Sequence, residues 1–439
     1  MLTRSRVFAE DTGGMRASWC MRLAVLAALV GWCDPTLAQQ SDPCQAGSPR
    51  SWAELEQRKE ALEREIAAKT AGGNDKVQRK SQEELLDILF QMDCQGNAAP
   101  MVRGLRAAPA PTTMMEVTAY YATNRNRTSS SEPVKLFGSS FQGNYEYGRA
   151  VVTIPRTHVP GNLEMARLWK LELDADPNKH FVLKAVVPLE ADNARNEMAQ
   201  ALAGLSSRSL LVFVHGYDTS FADAALRTAQ LAHDLEFPGL AFFYSWPSAG
   251  SALRYWQDEE ASQLSEATFE QLLGDLSRLP ATTIYIVAHS MGSRIVANAL
   301  RSRVERKEAT THIREVLLAA PDINAELFRT VIAPRLGAMQ GTRTTIYASS
   351  SDLALRASKV VHGFRRVGET LGGVFVYPGF DTIDASQATT MIREYGHSYL
   401  MDSASVLRDV RAIIQQKLAA RQRGLPQMGT APDQYWQLR

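Results

Sequence analysis

The sequence predicts an α/β fold in which antiparallel strands precede a mostly parallel, doubly wound sheet. Short continuous apolar runs recur through the second half of the chain, and segments with helical periodicity lie between most of them. Such runs are typical of strands that are buried on both faces of a parallel sheet and connected by helical crossovers. The predicted core strands are 210–214, 240–243, 283–287, 316–319, 345–348 and 374–377.

Four β-rich stretches come before these runs, with Gly and Pro between them and no long helical period. This pattern favours antiparallel strands. The stretches are 116–122, 150–154, 167–173 and 181–189. We therefore place one domain at residues 114–420, preceded by a Pro-containing linker at residues 96–113 and followed by a polar, loose tail at residues 421–439.

The composition is that of a soluble globular protein, since 45% of the 439 residues are hydrophobic and 22% are charged. The chain carries 48 basic and 47 acidic side chains, so it has no net field that would attract nucleic acid or anionic lipid. No apolar run reaches the roughly 18 residues that a membrane-spanning helix requires. We expect neither a nucleic-acid partner nor an integral membrane span in the mature chain.

Residues 1–38 have the pattern of a secretory signal peptide. Arg16 and Arg22 precede the short apolar stretch 23–30, and the small-residue sequence Thr-Leu-Ala at residues 36–38 is a candidate cleavage site. We therefore expect a periplasmic or secreted protein. The candidate start residues are Met1, Met15 and Met21.

Residues 39–95 are predicted to form a small helical hairpin. The sequence Ser-Trp-Ala-Glu at residues 51–54 is a capping box that begins one helix, and the Gly-rich segment 72–75 separates it from a second helix. Cys44 and Cys94 follow the signal, and an oxidising compartment would pair them in a disulfide that closes the hairpin. The hairpin is a candidate docking site for a protein partner.

A strand, a sharp turn and a helix surround Ser290. The predicted strand 283–287 runs directly into Ala-His-Ser-Met-Gly at residues 288–292, and a helix follows. A serine at such a turn is held in a strained conformation with its hydroxyl projecting from the sheet edge, and small flanking residues let neighbouring backbone pass close by. The usual motif begins with Gly, and Ala288 is nearly as small. Ser290 is therefore the candidate nucleophile.

The loop after strand 210–214 contains His215, Gly216 and Tyr217. Acyl transfer needs backbone N–H donors aimed at an oxygen that becomes negative, and we expect the amides of Tyr217 and Met291 to supply this oxyanion hole. The Met291 amide also lies at a helix N-terminus, where the dipole favours an anion. A simple turn is the alternative for this loop. His215 itself is expected to be structural and to bond the loop backbone.

In this sheet order the acid and then the histidine follow the serine along the chain. Asp352 comes directly after strand 345–348 and is the preferred acid, and His397 follows the last predicted strand and is the preferred base. His362 is the alternative base. The alternative acids are Asp322, Asp381 and Asp384.

Trp246 follows strand 240–243, where loops line the mouth of a pocket. It is a candidate substrate contact, with core packing as the alternative. The stretch 249–266 is either a cap over the site or a helical crossover. The sequence contains no phosphate loop, dinucleotide fingerprint or metal-binding histidine pair on a helix, so we expect neither a cofactor nor a metal.

Several short motifs follow one another through residues 114–415. They include Tyr-Ala-Thr-Asn-Arg at 121–125, His-Gly-Tyr at 215–217, Tyr-Ser-Trp-Pro at 244–247, Ala-Pro-Asp at 320–322, Ser-Ser-Ser-Asp at 349–352 and His-Ser-Tyr at 397–399. Together with the Ser290 pentapeptide, the set resembles a bacterial group of α/β-hydrolases that is esterase- or lipase-like and of unknown function. The resemblance implies an α/β-hydrolase fold and a triad of Ser290, Asp352 and His397.

These observations predict a serine hydrolase that acts on a small acyl ester, or on a thioester or amide, through an acyl-enzyme. The alternative is a binding or scaffold protein of the cell envelope in which the hydrolase fold is catalytically idle. A catalytically inactive protein on this fold need not retain a serine, a following acid and a later histidine in this order. The presence of all three residues therefore favours the enzyme.

Overall fold

The computed structural model describes residues 54–55, 57–58, 61–62, 84, 88, 114–165, 176–250, 254–352, 355, 358–359, 362–388 and 399–438. Within these residues, the centre of the fold is an eleven-stranded sheet. The strands are β1 (Met115–Arg127), β2 (Phe137–Ile154), β3 (Val182–Leu189), β4 (Ser209–Val214), β5 (Leu240–Ser245), β6 (Thr283–His289), β7 (Ile313–Ala319), β8 (Arg343–Ala348), β9 (Phe380–Asp384), β10 (Gln427–Met428) and β11 (Tyr435–Gln437).

The longer helices connect or cover these strands. They are α1 (Ala191–Gly204), α2 (Phe221–Asp234), α3 (Tyr255–Leu276), α4 (Gly292–Glu305) and α5 (Ala404–Gln416). Shorter helical turns occur at Pro133–Lys135, Ala325–Leu327, Phe328–Ile332, Ala333–Gly337, Tyr399–Asp402 and Ala420–Gln422. Among the described residues, no helix combines the length and the apolar character that crossing a bilayer requires.

The strand order across the sheet is β10-β11-β9-β8-β7-β6-β4-β5-β1-β2-β3. Every pairing from β1 through β5, β4, β6, β7, β8 and β9 to β11 is parallel. β2 runs antiparallel to both β1 and β3, and β10 runs antiparallel to β11. The mostly parallel sheet with antiparallel strands near its N-terminal side is thus confirmed.

The central strands are buried because helices cover both faces of the sheet. Every residue of β4 is buried, and its alternate side chains enter different cores, with Val212 in one and Phe213 in the other. Side chains of α1, α3 and α4 complete the first core, and those of α2 and α5 complete the second. This arrangement is the doubly wound architecture that the apolar runs predict.

The prediction of a strand at residues 374–377 is wrong. These residues have no regular secondary structure, and the strand β9 begins only after the turn that contains Gly379, whose φ is +85°. Phe375 is buried because its ring packs edge-on against Phe328, with ring centroids 5.4 Å apart. The apolar run therefore reflects packing against a helical turn and not pairing in the sheet.

The prediction of a loose tail at residues 421–439 is also wrong. The strand β11 extends the sheet by pairing with β9, and Trp436 and Leu438 are buried. The Arg423 guanidinium is buried as well and forms an ion pair with the Asp409 carboxylate of α5. The polar composition concealed this order because a charged side chain can be buried when it is paired with an opposite charge.

The helical hairpin is described at eight residues, all of which are helical. Arg58 forms a two-bond ion pair with Glu84, with both N–O distances at 2.8 Å, and this pair joins the two predicted helices. Leu55, Leu62 and Ile88 are buried. The signal peptide, Cys44, Cys94, the linker 96–113 and the β-rich stretch 167–173 lie outside the described residues.

Candidate active site

Ser290 occupies the turn between β6 and α4 in a conformation that few residues other than glycine adopt. Its φ is +51°, and only 1% of the residue is exposed. The Ser290 N–H donates to the carbonyl of Ala319 at the end of β7 (2.9 Å), and the Ser290 carbonyl accepts from Ser293 N–H (3.0 Å). The neighbouring strand and the first turn of α4 therefore hold the strained backbone in place.

Glycines at two positions allow the loop after β4 to contact this turn. A Cβ atom at Gly292 would lie 2.3 Å from the His215 carbonyl oxygen, and one at Gly216 would lie 2.9 Å from Ser290 Cβ. Both distances are too short for non-bonded atoms, so only glycine fits. Ala288 is buried in the core with its single methyl group. The predicted need for small residues around Ser290 thus has a direct steric cause.

Tyr217 and Met291, the predicted oxyanion residues, come from the two segments that meet at this contact. Tyr217 follows Gly216, and Met291 is the N-cap of α4. The first N–H groups of a helix lack intrahelical acceptors and lie at the positive end of its dipole. The loop after β4 and the N-terminus of α4 therefore meet beside Ser290.

Asp352, the predicted acid, is fully buried in the loop after β8. Its Oδ1 accepts a hydrogen bond from Leu355 N–H (2.9 Å). Burial raises the pKa of the Tyr217 hydroxyl well above its usual value, and the nearby charges of Asp218, Asp352 and Asp322 raise it further. The Tyr217 ring packs against Tyr255 at the start of α3, with ring centroids 5.7 Å apart. His397, the predicted base, lies outside the described residues.

Asp322 is already engaged in a buried network of its own. Its Oδ2 accepts from the Tyr255 hydroxyl (2.6 Å) and from Arg294 Nη2 (3.1 Å), and its Oδ1 accepts from the Ser358 hydroxyl (2.6 Å). Burial alone would raise the pKa of Asp322, but the Arg294 and Arg366 guanidinium groups outweigh it and hold that pKa below its usual range. Asp322 therefore holds α3, α4 and the segment around Arg366 together.

The alternative base His362 and the alternative acids Asp381 and Asp384 also have hydrogen-bond partners close by. Nδ1 of His362 donates to the Ser358 carbonyl (2.8 Å), and its Nε2 faces the Glu259 carboxylate (3.0 Å), so both ring nitrogens are occupied. Asp381 accepts from Ala420 N–H (3.0 Å). Asp384 accepts from Ser386 N–H (3.0 Å).

The stretch 249–266 contains the start of α3, which crosses from β5 to β6, as the helical-crossover alternative expects.

Trp246 packs in the core, which favours the core-packing alternative over a contact with substrate. Trp246 has no exposed surface, because its ring stacks on His215 with centroids 5.0 Å apart and planes 10° apart. Its Nε1 donates to the His215 carbonyl (2.8 Å). His215 Nδ1 in turn donates to the Gly216 carbonyl (2.8 Å), so His215 is the structural histidine that the sequence predicts.

Arg125 braces the loops beside the site, a role that the sequence pattern does not predict. This buried side chain donates from Nε to the Ser245 hydroxyl (2.8 Å), from Nη1 to the Ser248 carbonyl (2.9 Å) and from Nη2 to the Thr219 carbonyl (2.6 Å). Burial lowers the pKa of Arg125 to about 10. The guanidinium therefore joins β1 to the loops after β4 and β5. The motif at residues 121–125 is the sequence signal that contains it.

We expect the protonation of His215 to destabilise the fold in mild acid. Burial and the Arg125 charge hold the pKa of His215 well below the ordinary value of 6.5, so below that pH the unfolded chain binds a proton that the folded chain does not. The free energy of unfolding should then fall by up to about 1.4 kcal/mol for each pH unit below that value. Urea unfolding between about pH 5 and pH 7.5, the range in which an ordinary histidine titrates, measures this slope. His215→Gln should have a flatter profile, and equal slopes in the two proteins would contradict the assignment.

The chain matches a protein family and is similar to several solved structures. A family model described as an α/β hydrolase of unknown function (DUF900) matches residues 190–417. An esterase from the hyperthermophilic archaeon Pyrobaculum calidifontis is 11% identical with a TM-score of 0.30, covering 82% of this chain and 97% of its own. A dienelactone hydrolase from Anabaena variabilis is 12% identical with a TM-score of 0.30, and the match covers 62% of this chain and 90% of the dienelactone hydrolase. An esterase B from Lactobacillus rhamnosis is 10% identical with a TM-score of 0.29, and the match covers 81% of this chain and 98% of the esterase.

The search of curated proteins gave no match. Because the family model spans more than half of the chain, the protein belongs to this α/β-hydrolase family of unknown function.

Proposed function

We propose that the protein is a serine hydrolase that cleaves a carboxylic ester of a small molecule through an acyl-enzyme on Ser290. The observation that carries this proposal is the positive φ of a buried, non-glycine residue at the turn from β6 to α4. Backbone strain of this kind persists only where the surrounding structure enforces it, and it concentrates at active sites. Ligands of parallel α/β sheets bind at the carboxyl ends of the strands, which is where Ser290 lies.

In the proposed reaction, His397 accepts the proton of the Ser290 hydroxyl as Oγ bonds to the acyl carbon. The carbonyl electron pair moves to its oxygen, and the Tyr217 and Met291 amides stabilise the negative charge. The intermediate collapses by expelling the alcohol, which takes the proton from His397. A water molecule then attacks the acyl-enzyme by the same steps, and Ser290 regains its proton. Thioesters and amides can react by the same route.

Asp352 is proposed to fix the tautomer of His397 and to stabilise its protonated form. Two observations favour Asp352 over Asp322 for this role. Asp352 is buried in the loop after β8, and β8 pairs with β9, the strand that precedes His397 along the chain. Both carboxylate oxygens of Asp322 instead accept hydrogen bonds, which come from Tyr255, Ser358 and Arg294.

A fluorophosphonate probe tests the proposal. An activated serine displaces fluoride from phosphorus and keeps the phosphonyl group as a stable ester. We expect one label for each protein molecule near neutral pH, located by peptide mass spectrometry at Ser290. Ser290→Ala should take up no label.

Ser293→Ala is the matched control, because this buried serine lies one helical turn further along and its hydroxyl bonds the Ala288 carbonyl (3.2 Å). It should be labelled as wild type is. The proposal fails if folded wild-type protein takes up no label and hydrolyses short acyl esters no faster than Ser290→Ala.

A further inference from the structure

A second group of polar side chains lies at the end of α2, apart from Ser290. His233 and Asp234 are the last two residues of this helix, and His158 comes from the loop after β2. One ligand atom from each of the three residues lies within 4.8 Å of the other two. The side chain of His158 is 3% exposed, and that of Asp234 is fully buried. Three groups that ligate metals therefore converge in a protected place.

The surroundings fix the orientation of these groups. Glu164 Oε2 faces Nδ1 of His158 at 2.8 Å, which leaves Nε2 directed at Asp234 Oδ1 (2.6 Å). Glu164 is itself held, because its Oε1 accepts from Asn162 Nδ2 (2.7 Å). A carboxylate on the far nitrogen of a histidine is the usual second-shell arrangement at metal centres, where it orients the ring and increases its basicity.

Asp234 is oriented in the same way. Its Oδ2 accepts from Gly161 N–H (2.9 Å), and its Oδ1 is the oxygen that faces His158. The His233 ring lies beside that of His158, with centroids 5.3 Å apart.

We propose that His158, His233 and Asp234 form a binding site for a divalent transition metal of the zinc class. Two imidazoles and one carboxylate suit Zn²⁺, Co²⁺ or Ni²⁺, whereas Mg²⁺ and Ca²⁺ prefer oxygen ligands. Zinc–ligand distances of about 2.0–2.2 Å require His158 Nε2 and Asp234 Oδ1 to separate by about 1 Å. The metal replaces the proton between these two atoms, so one proton leaves as the metal binds. Water completes the coordination.

The site is structural and not part of the proposed hydrolysis. It lies at the opposite end of α2 from the loop that carries Tyr217, and α2 has 14 residues, or about 20 Å of helix. The same helix contacts the segment after residue 398, since Gln230 Nε2 donates to the Met401 carbonyl (3.0 Å) and Arg227 forms an ion pair with Asp402. A metal at the end of α2 would therefore brace the helix against which this segment packs.

Metal titration of the full, tag-free chain tests the proposal. After removal of metals with a chelator, we expect one equivalent of Zn²⁺ to bind in calorimetry and one equivalent of Co²⁺ to give the intense visible absorption of a low-symmetry site. His233→Ala should weaken Zn²⁺ binding at least 100-fold while sparing the contacts of His158 with Asp234 and Glu164. Glu164→Gln should weaken it roughly 10- to 100-fold, as second-shell changes do.

His312→Ala is the matched control, because this exposed histidine is remote from α2 in the sequence and lies just before β7. It should bind Zn²⁺ as wild type does, and Zn²⁺ should raise the melting temperature of both proteins but not of His233→Ala. The proposal is overturned if the wild-type chain binds no Zn²⁺, or if His233→Ala binds it with unchanged stoichiometry and affinity. Equally tight binding of Mg²⁺ would overturn the assigned metal class. Ser290 labelling is independent of these outcomes.

Discussion

Asp352→Asn is expected to lower kcat for a short acyl ester about 10⁴-fold with little change in stability. An asparagine of the same shape would hold the histidine in the wrong tautomer and would no longer stabilise its protonated form. The amide oxygen can still accept the hydrogen bond from Leu355 N–H, so the loop should keep its conformation. Steady-state kinetics and urea unfolding of the same preparation measure the two effects separately.

Asp322→Asn is the matched comparison and should behave in the opposite way. The substitution removes the negative charge with which Arg294 and Arg366 form buried ion pairs. Removing one partner of a buried ion pair lowers the free energy of unfolding by about 3–5 kcal/mol. We expect a large loss of unfolding free energy, with kcat of the folded fraction within about tenfold of wild type, a shift of about 1.4 kcal/mol in the barrier. A normal rate in Asp352→Asn together with a 10⁴-fold loss in Asp322→Asn would assign the acid role to Asp322.

Gly292→Ala should damage stability and activity together. Its Cβ would lie 2.3 Å from the His215 carbonyl oxygen and 2.7 Å from that of Val214, and both are main-chain atoms at the end of β4. Relief requires β4 or α4 to move, so we expect a loss of about 3 kcal/mol or more, at the upper end of what overpacking costs. Because the same movement displaces Ser290 from Tyr217, fluorophosphonate labelling should fall at least tenfold, which corresponds to about 1.4 kcal/mol.

Gly204→Ala is the control for this substitution. A Cβ at Gly204, the last residue of α1, meets no atom within 4 Å, so the change should be neutral or stabilising by up to about 1 kcal/mol. Thermal unfolding and labelling of the two variants in parallel make the comparison. Identical melting temperatures would show that the contact between the β4 loop and the Ser290 turn is looser than the structure indicates.

The sequence predicts most of the sheet because its central strands are buried on both faces. A strand such as β4, in which every residue is buried, leaves a continuous apolar run that local composition reveals. The run at residues 374–377 looks the same, yet Phe375 packs on a helical turn. Short apolar runs record burial, and burial alone does not distinguish pairing in a sheet from packing beside it.

Residues of the candidate site also differ in how far the sequence predicts them. Ser290 is predictable because its strain, its strand and its helix are all local in the chain. Arg125 is not, because its acceptors come from the loops around Thr219 and Ser248, about a hundred residues away. The cluster of His158, His233 and Asp234 is equally hidden, since 75 residues separate the two histidines and only the packing of a loop against α2 joins them.

The last strands of the chain have a consequence for solubility. β11 pairs with β9 at Ile383 and Asp384 along one side and with β10 along the other, so the C-terminal end of β9 does not present unpaired amide and carbonyl groups. An uncovered parallel strand would be a template for a strand from another copy of the protein, which is how edge-to-edge aggregation begins. The short hairpin of β10 and β11, anchored by Trp436, thus shields the sheet from self-association.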